Sequence, residues 1–277
     1  MGVKGVKGVA LDVPTAAATI ACFQKQMMRR FKFMEDSKVN NIYKIKNKKV
    51  DYYEVFGKKY QFDELFELKV DLDPNMNPRD LEKMKQVYDD GTGHARQPMI
   101  ITIEEIYQGM QDGIWQGRHP QLPEVKGYNT YLDVDTIKKA EQQVFVPKAM
   151  VFLADELNEL MTSDDYKSVD TVRNALGSIA RLGRAAAVHL ALACQRPSGS
   201  TINGDLKNNI QMGVLLGGFD DGASTMMFDK DISNMAKPEI KGRGFIQSGK
   251  DFLYKSWYVV IHTKINSFNC WKLLRDY

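Results

Sequence analysis

The first forty residues combine a helix start with apolar positions at helical spacing. Asp12 is a suitable N-cap, and Pro14 falls in the first turn. Apolar residues then recur every three or four positions: Ile20, Phe23, Met27, Phe31 and Met34. Basic residues take other positions of the same helix: Lys25, Arg29, Arg30 and Lys32. The pattern predicts a helix with one buried stripe, and its remaining surface is either solvated or, as the alternative, a basic face for DNA.

From about residue 40 to residue 146 the chain is polar and rich in tyrosine, with turn signals such as Phe56-Gly57. The stretch "KVDYYEVFGKKYQFDELFEL" (49–68) predicts a β-hairpin followed by a short helix. The stretch "MIITIEEIYQGMQDGIW" (99–115) predicts a strand that runs into a helix. We therefore interpret this region as a small α+β unit.

Beyond residue 145, short apolar runs alternate with helical segments. The runs "AMVFLADE" (149–156), "AVHLALACQ" (187–195) and "QMGVLLGGF" (211–219) predict buried strands, and 168–184 predicts an amphipathic helix. This alternation favours a parallel sheet with helices on both faces. The tail "GRGFIQSGKDFLYKSWYVVIHT" (242–263) predicts a β-hairpin.

Composition narrows the class of protein. The 277 residues are 43% hydrophobic and 26% charged, as in an ordinary globular protein. The net charge of +3 neither requires nor excludes a nucleic-acid partner. Three widely spaced cysteines with no CxxC pair favour a reduced, cytoplasmic protein. No apolar run reaches the ~20 residues of a membrane span.

The stretch "GFIQSGKD" (244–251) differs by one residue from a phosphate-binding loop, because Asp251 stands where Ser or Thr would bind Mg²⁺. A working loop also opens a helix, whereas the residues that follow are aromatic and β-branched. We therefore interpret Ser248-Gly249 as a hairpin turn.

The stretch "DLDPNMNPRDLE" (71–82) partly matches a calcium-binding loop, because acids and amides fall at calcium-loop positions. Met76 occupies the position that needs glycine, and Pro74 and Pro78 restrict the backbone. A helix start, with Asn77 as cap, is the better interpretation.

The chemistry concentrates at the ends of two predicted strands. Asp155 and Glu156 directly follow a buried strand, as in a Walker B element, in which the first acid holds Mg²⁺ and the second orients the attacking water. An acid that caps the next helix is the alternative. Gln195 ends the next parallel strand, so we expect it at the same sheet edge, near Asp155.

Three stretches carry a family resemblance: "VFLADELNELM", "SIARLGRAAAVHLALACQRPSGSTINGDLKNNI" and "DDGASTMMFD". They resemble the motor domain of FtsK/SpoIIIE DNA translocases, and "DVPTAAATIACFQKQMMRRFKFM" is similar to another helix of that family. The resemblance covers about residues 9–45 and 146–260. It implies an α/β fold: an incomplete RecA-like P-loop NTPase core, a parallel sheet flanked by helices, with an inserted α+β subdomain. It divides the chain into a motor helix (1–45), the insertion (46–145) and the main core with its hairpin (146–277).

The resemblance also implies roles for single residues. Asp155 matches the acid that binds Mg²⁺ with ATP, Glu156 the catalytic glutamate and Gln195 the sensor glutamine. Arg181 and Arg184 match basic residues near a subunit boundary, where they reach a neighbour's phosphates or simply end a solvated helix. The loop after the sensor strand supplies candidate DNA contacts, with an ordinary surface loop as the alternative: Ser198, Ser200, Thr201, Asn203 and Lys207.

By resemblance, the partners are double-stranded DNA and other subunits of a ring, expected to be a hexamer. In the family a phosphate loop precedes the first helix, and this sequence has none at that place. We therefore expect either that another polypeptide carries the missing loop or that the chain is part of a longer motor. A remnant that binds DNA or acts as a scaffold without hydrolysing ATP is the alternative function.

Overall fold

The computed structural model describes residues 9–72, 99–114, 118–126, 130–235, 244–248 and 251–253. These residues belong to two compact units, one formed by Lys7–Ala193 and the other running from Cys194 onward. Among the described residues, no helix combines the length and the apolar character that a membrane span needs. The calcium-like stretch (71–82) and its predicted helix start lie, from residue 73 onward, outside the described residues. The three-part division at 45 and 145 stays a prediction.

The first unit contains five helices and eight strands among its described residues. The helices are α1 (Val13–Asp36), α2 (Ile103–Gln111), α3 (Pro123–Lys126), α4 (Leu157–Met161) and α5 (Tyr166–Leu182). The strands are β1 (Lys49–Val55), β2 (Lys58–Gln61), β3 (Leu65–Leu72), β4 (Met99–Thr102), β5 (Arg118–Gln121), β6 (Ile137–Val144), β7 (Met150–Ala154) and β8 (Val188–Leu192).

Helix α1 begins and packs as its sequence predicts. Asp12 is the N-cap, and its carboxylate accepts a hydrogen bond from the Thr15 N–H at 2.8 Å. The apolar stripe is buried or half-buried along its whole length. Phe23 packs edge-on against Phe152 of β7, with ring centroids 5.8 Å apart. This stripe therefore attaches α1 to one face of the β7–β8 pair.

Residues 49–144 build two antiparallel sheets, in the strand orders β2-β1-β6 and β4-β3-β5. The predicted hairpin is confirmed, because Val55 pairs with Lys58 across a turn in which Phe56 and Gly57 both have positive φ. The predicted strand-to-helix passage at Thr102 is confirmed as well. An apolar core cluster lies wholly within this segment: Tyr53, Val55, Phe66, Leu68, Val70, Ile103, Ile106, Met110, Leu122, Leu132 and Ile137.

The short helix predicted after the hairpin is wrong, because Leu65–Leu72 form strand β3. This strand pairs antiparallel with β4 through its first half and with β5 through its second. Phe66, Leu68 and Val70 alternate with polar residues and are buried. Tertiary pairing on both edges therefore overrides the local helical pattern.

Strands β7 and β8 are parallel, with Phe152 opposite Leu190 and Ala154 opposite Leu192. Along β7 burial alternates, so Phe152 and Ala154 are buried while Val151 and Leu153 are 49% and 70% exposed. One face of this strand pair is therefore packed, and the other presents apolar side chains to solvent.

The second unit contains helices α6 (Gly204–Asn209) and α7 (Asp221–Phe228) and strands β9 (Met212–Leu216), β10 (Gly244–Ser248) and β11 (Asp251–Leu253). The tail hairpin is confirmed over these strands, which pair Ser248 with Asp251. Strand β9 exists as predicted, but its described partner is β10, in antiparallel register. The parallel pairing expected for β9 is thus not found among the described residues, and β9–β11 form an antiparallel sheet.

Candidate functional site

Asp155 and Glu156 lie directly after strand β7, at its carboxyl end. The Asp155 side chain is exposed and that of Glu156 is half-buried. Glu156 has extended backbone angles and is the N-cap of α4, where its Oε1 accepts a hydrogen bond from the Asn158 N–H at 3.1 Å. The helix-cap alternative therefore describes how Glu156 is used in this structure.

Backbone hydrogen bonds fix the two acids beside the end of β8. The Ala193 N–H donates to the Ala154 carbonyl, and the Leu157 N–H donates to the Ala193 carbonyl, each over 2.8 Å. The parallel ladder thus continues past both strands and holds the peptide of residues 155 and 156 against Ala193. The carboxyl edge of a parallel sheet is where open α/β folds bind ligands.

The donor set at this edge suits magnesium. Carboxylate oxygens are its preferred protein ligands, and Mg²⁺ commonly uses one or two of them and fills the remaining positions with water and phosphate oxygens. Asp155 supplies one such carboxylate, whereas the Glu156 carboxylate caps α4. No group of three or more His, Cys, Asp or Glu residues that could hold a metal ion assembles in the described part of the chain, this edge included. The residues present therefore fit a magnesium–nucleotide ligand and do not form an all-protein metal cage.

Gln195 belongs to the second unit, two residues beyond Ala193, and its side chain is exposed. Its expected place beside Asp155 stays a prediction. The phosphate-loop imitation is excluded by its context, since Asp251 begins a strand and not a helix. This agrees with the hairpin interpretation of "GFIQSGKD".

Arg181 and Arg184 are exposed at the end of α5 and in the 3-10 turn that follows it, Gly183–Ala186. Between them, Gly183 lies so close to β8 that a Cβ atom there would stand 2.2 Å from the Val188 carbonyl oxygen. This glycine thus lets α5 end against the strand pair, and the two arginines lie on either side of the contact. Their predicted role at a subunit boundary stays a prediction.

The candidate DNA contacts in the second unit are held by local hydrogen bonds. The hydroxyl of Ser198 lies 2.9 Å from those of both Ser200 and Thr201, and Thr201 is only 1% exposed. Asn203 caps α6, and Lys207 forms an ion pair with Asp229. Ser200 is exposed. The loop is therefore internally braced, and contact with DNA stays a prediction for these residues.

The basic residues of α1 meet partners that the sequence did not reveal. Lys25 and Arg29 form ion pairs with Glu105 and Glu104, at the start of α2. Burial alone would raise the pKa of the Glu105 carboxyl, but hydrogen bonds from Lys25 and Thr102 outweigh it and lower that pKa. Two of the charges needed for a DNA-binding face of α1 are therefore neutralised within the unit.

Arg30 differs most from the predicted surface position, because it is buried within the apolar stripe at 3% exposure. Its guanidinium donates to the Asp63 carboxylate and to the Ala186 carbonyl. The signal was available: Arg30 lies three residues after Met27 and four before Met34, which is the spacing of the stripe itself.

A model of the FtsK/SpoIIIE family matches residues 5–199, and this range includes α1, Asp155, Glu156 and Gln195. The chain belongs to the FtsK/SpoIIIE family. The α/β fold class with a RecA-like core is thereby confirmed, and β7–β8 are the parallel strands of that core in the described part of the chain.

Known FtsK/SpoIIIE proteins align with limited parts of this chain. "DNA translocase FtsK" of Staphylococcus epidermidis is 34% identical over 108 residues, which are 39% of this chain and 13% of that protein. Its counterpart in Oceanobacillus iheyensis is 38% identical over 86 residues, 31% of this chain and 10% of that protein. The match therefore spans about an eighth of the relatives' length or less.

Among solved structures, the pCW3 conjugation coupling protein TcpA, in a monomer form with ATPγS, is 30% identical. The similarity covers 40% of this FtsK/SpoIIIE chain and 33% of TcpA, with a TM-score of 0.36.

Proposed function

We propose that this chain supplies the Walker B and sensor part of an ATP-driven motor that translocates double-stranded DNA. The observation that carries the proposal is the position of Asp155 and Glu156. They follow a parallel strand of a FtsK/SpoIIIE chain, at the sheet edge where nucleotides bind in such folds. The relatives named DNA translocase support the same motor class.

In this proposal each polar group at the edge has a separate role. Asp155 would hold Mg²⁺ through its water shell, and the bound ion would supply positive charge beside the phosphates of ATP. Glu156 orients the attacking water and accepts its proton. Gln195, just beyond β8, would sense the γ-phosphate. Arg181 and Arg184 do not belong to this edge, because they precede the start of β8, and they would reach the phosphates of a neighbouring subunit.

The DNA partner would lie in the channel of a ring, expected to be a hexamer, against the loop after β8. Hydroxyl and amide groups suit contacts to phosphate oxygens without sequence selection. Ser198, Ser200 and Asn203 would offer such groups, and Lys207 would add a positive charge after leaving its ion pair with Asp229. Thr201 would contact DNA only after the loop opens, because its side chain is buried here.

The test combines the full chain with a polypeptide that carries the phosphate-loop part of a FtsK/SpoIIIE motor. Phosphate release is measured with Mg-ATP and duplex DNA. Glu156→Gln should lower DNA-dependent release by about a hundredfold or more, because a general base contributes at least that much. Glu159→Gln changes an exposed acid of the same helix, α4, and is the matched control. Equal rates for the two variants would remove Glu156 from catalysis.

A second candidate is a DNA-binding or scaffold protein of the same lineage that does not hydrolyse ATP. The observation in its favour is that the Glu156 carboxylate already serves as a helix cap. Its signature would be duplex DNA binding with no phosphate release in any mixture. The source DNA also separates the candidates, since an adjoining reading frame with a phosphate loop favours the motor.

A further inference from the structure

A four-residue turn contacts both α1 and the connection between β6 and β7. It consists of Gln61, Phe62, Asp63 and Glu64, joins β2 to β3, and is called the 61–64 turn below. Gln61 and Asp63 are 0% and 3% exposed. Buried amides and carboxylates are stable only with hydrogen-bonding partners, so their contacts show what the turn holds in place.

Asp63 pairs with Arg30 of α1. The Asp63 Oδ2 accepts from Arg30 Nη2 at 2.8 Å and from Nε at 3.1 Å. The third guanidinium nitrogen, Nη1, donates to the Ala186 carbonyl at 2.9 Å. One buried cation thus links the 61–64 turn to the backbone that enters β8.

Gln61 holds the connection between β6 and β7 at Val146. Its Oε1 accepts from the Val146 N–H at 2.8 Å, and its Nε2 donates to the Val146 carbonyl at 3.2 Å and to Asp63 Oδ1 at 2.7 Å. The side-chain amide therefore pairs with Val146 as a neighbouring strand would. Beside it, Glu64 forms a 2.7 Å ion pair with Lys148.

The two attachments meet where β7 and β8 begin. The Met150 N–H, the first of β7, donates to the Ala187 carbonyl at 2.9 Å. Ala187 has left-handed backbone angles, with φ 55° and ψ 40°, and it directly follows the carbonyl that Arg30 binds. The start of the parallel ladder is therefore built on a peptide that Arg30 holds, and Asp63 in turn holds Arg30.

We propose that the 61–64 turn is a positioning element for the β7–β8 pair. Through Arg30 and Gln61, the β-rich segment from Lys49 to Val144 sets where both strands begin, and hence where Asp155 lies at the other end. The role assigned to Asp155 rests on the proposed function, whereas the positioning of the strands does not. Moving the turn away would leave a buried guanidinium without its carboxylate, which is strongly unfavourable.

Amide hydrogen exchange of the full chain, without nucleotide, tests the proposal. Asp63→Asn and Gln61→Leu should each speed exchange at 150–154 and 188–192 by about tenfold or more, because local opening becomes easier when a buried contact is lost. Asp51→Asn is the matched control, since it breaks the 2.8 Å ion pair with Lys139 on the exposed side of the same segment. It should change exchange in β7 and β8 by less than about twofold.

A double variant separates position from stability. Adding Arg30→Met to Asp63→Asn removes the unpaired charge, so the thermal midpoint should recover relative to Asp63→Asn. Exchange in β7 and β8 should stay fast, because nothing then binds the Ala186 carbonyl. Wild-type exchange in folded Asp63→Asn and Gln61→Leu, or an equal increase in Asp51→Asn, would overturn the proposal. These results do not depend on whether Glu156 is catalytic.

Discussion

The carboxylate of Glu156 accepts a hydrogen bond from the backbone N–H of Asn158, with the two atoms 3.1 Å apart. The residue proposed to orient water is thus also the N-cap of helix α4. A glutamine can keep the cap, because its amide oxygen is an acceptor, but it cannot act as a base. An alanine removes both functions.

This dual use predicts different stabilities for two variants. Glu156→Gln should unfold within about 0.5 kcal/mol of the wild type, whereas Glu156→Ala should lose about 1 kcal/mol through the missing cap. Denaturant titration followed by circular dichroism measures both. If glutamine destabilises the protein as much as alanine does, the cap is not the main structural contribution of Glu156.

The chain by itself should release no appreciable phosphate from Mg-ATP, with or without duplex DNA. Its sequence contains no phosphate loop, and the closest imitation leads into strand β11. Without the backbone cradle and lysine of that loop, nucleotide affinity and phosphoryl transfer should both collapse. A steady-state phosphate assay measures this, and Lys250→Ala and Glu156→Gln identify the source of any turnover. Turnover lost in Lys250→Ala but kept in Glu156→Gln would contradict our assignment.

Gly183→Ala should destabilise the first unit by about 1–3 kcal/mol, the usual cost of overpacking. The new methyl group would overlap the Val188 carbonyl oxygen, and strand backbone cannot move aside as a flexible side chain can. Gly177→Ala, in the helix that precedes the turn at Gly183, is the control. Its Cβ would meet only the Arg181 guanidinium at 3.6 Å, so relief of a helical glycine should stabilise α5 by roughly 0.5–1 kcal/mol. Thermal unfolding should therefore move in opposite directions for the two variants.

The thiol of Cys22 should react slowly in the folded protein. Burial raises its pKa from 9.0 to about 11, with a smaller contribution from the nearby Glu105 carboxylate. At pH 8 the reactive thiolate is then about a hundredfold scarcer than at an unperturbed site. Iodoacetamide labelling followed by peptide mass analysis should show this lag, and urea should abolish it. The rate should keep rising tenfold per pH unit up to about pH 11, so a plateau near pH 9 would contradict the assigned cause.

Local patterns predicted the parts of the fold that depend on local interactions. Asp12 caps α1, the hairpin turns at Phe56-Gly57, and Asp155 follows a strand, because each of these depends on residues close in sequence. The predicted burial of that strand holds for one face only, since Val151 and Leu153 are exposed. The spacing of Arg30 places it within the apolar stripe, but the partner that allows its burial could not be predicted in the same way. Its partner Asp63 lies 33 residues away, and an arginine in an apolar stripe is normally assigned to the surface until such a partner is known.

Strand pairing beyond the hairpins was the second feature that the sequence did not predict. The stretch Leu65–Leu72 carries both helical and alternating patterns, and the choice between them comes from β4 and β5, which flank it. Strand β9 was recognised, but a short apolar run does not show whether its neighbour is parallel or antiparallel. At the candidate site the adjacent acids were found from sequence, and a helix cap was one of two interpretations of them. The structure was needed to show that Glu156 is the acid that caps α4.

The uncovered face of β7 should tolerate substitution. Val151 and Leu153 are side chains suited to a dry interior, yet 49% and 70% of their surfaces meet water. Replacing them with threonine or lysine should cost this chain little stability and should make it more soluble. In a sheet with both faces covered, the same replacements would be disruptive. The stability lost on substituting Val151 or Leu153 therefore shows whether this face of β7 is covered in solution. A small loss indicates an exposed face, and a large loss indicates a covered one.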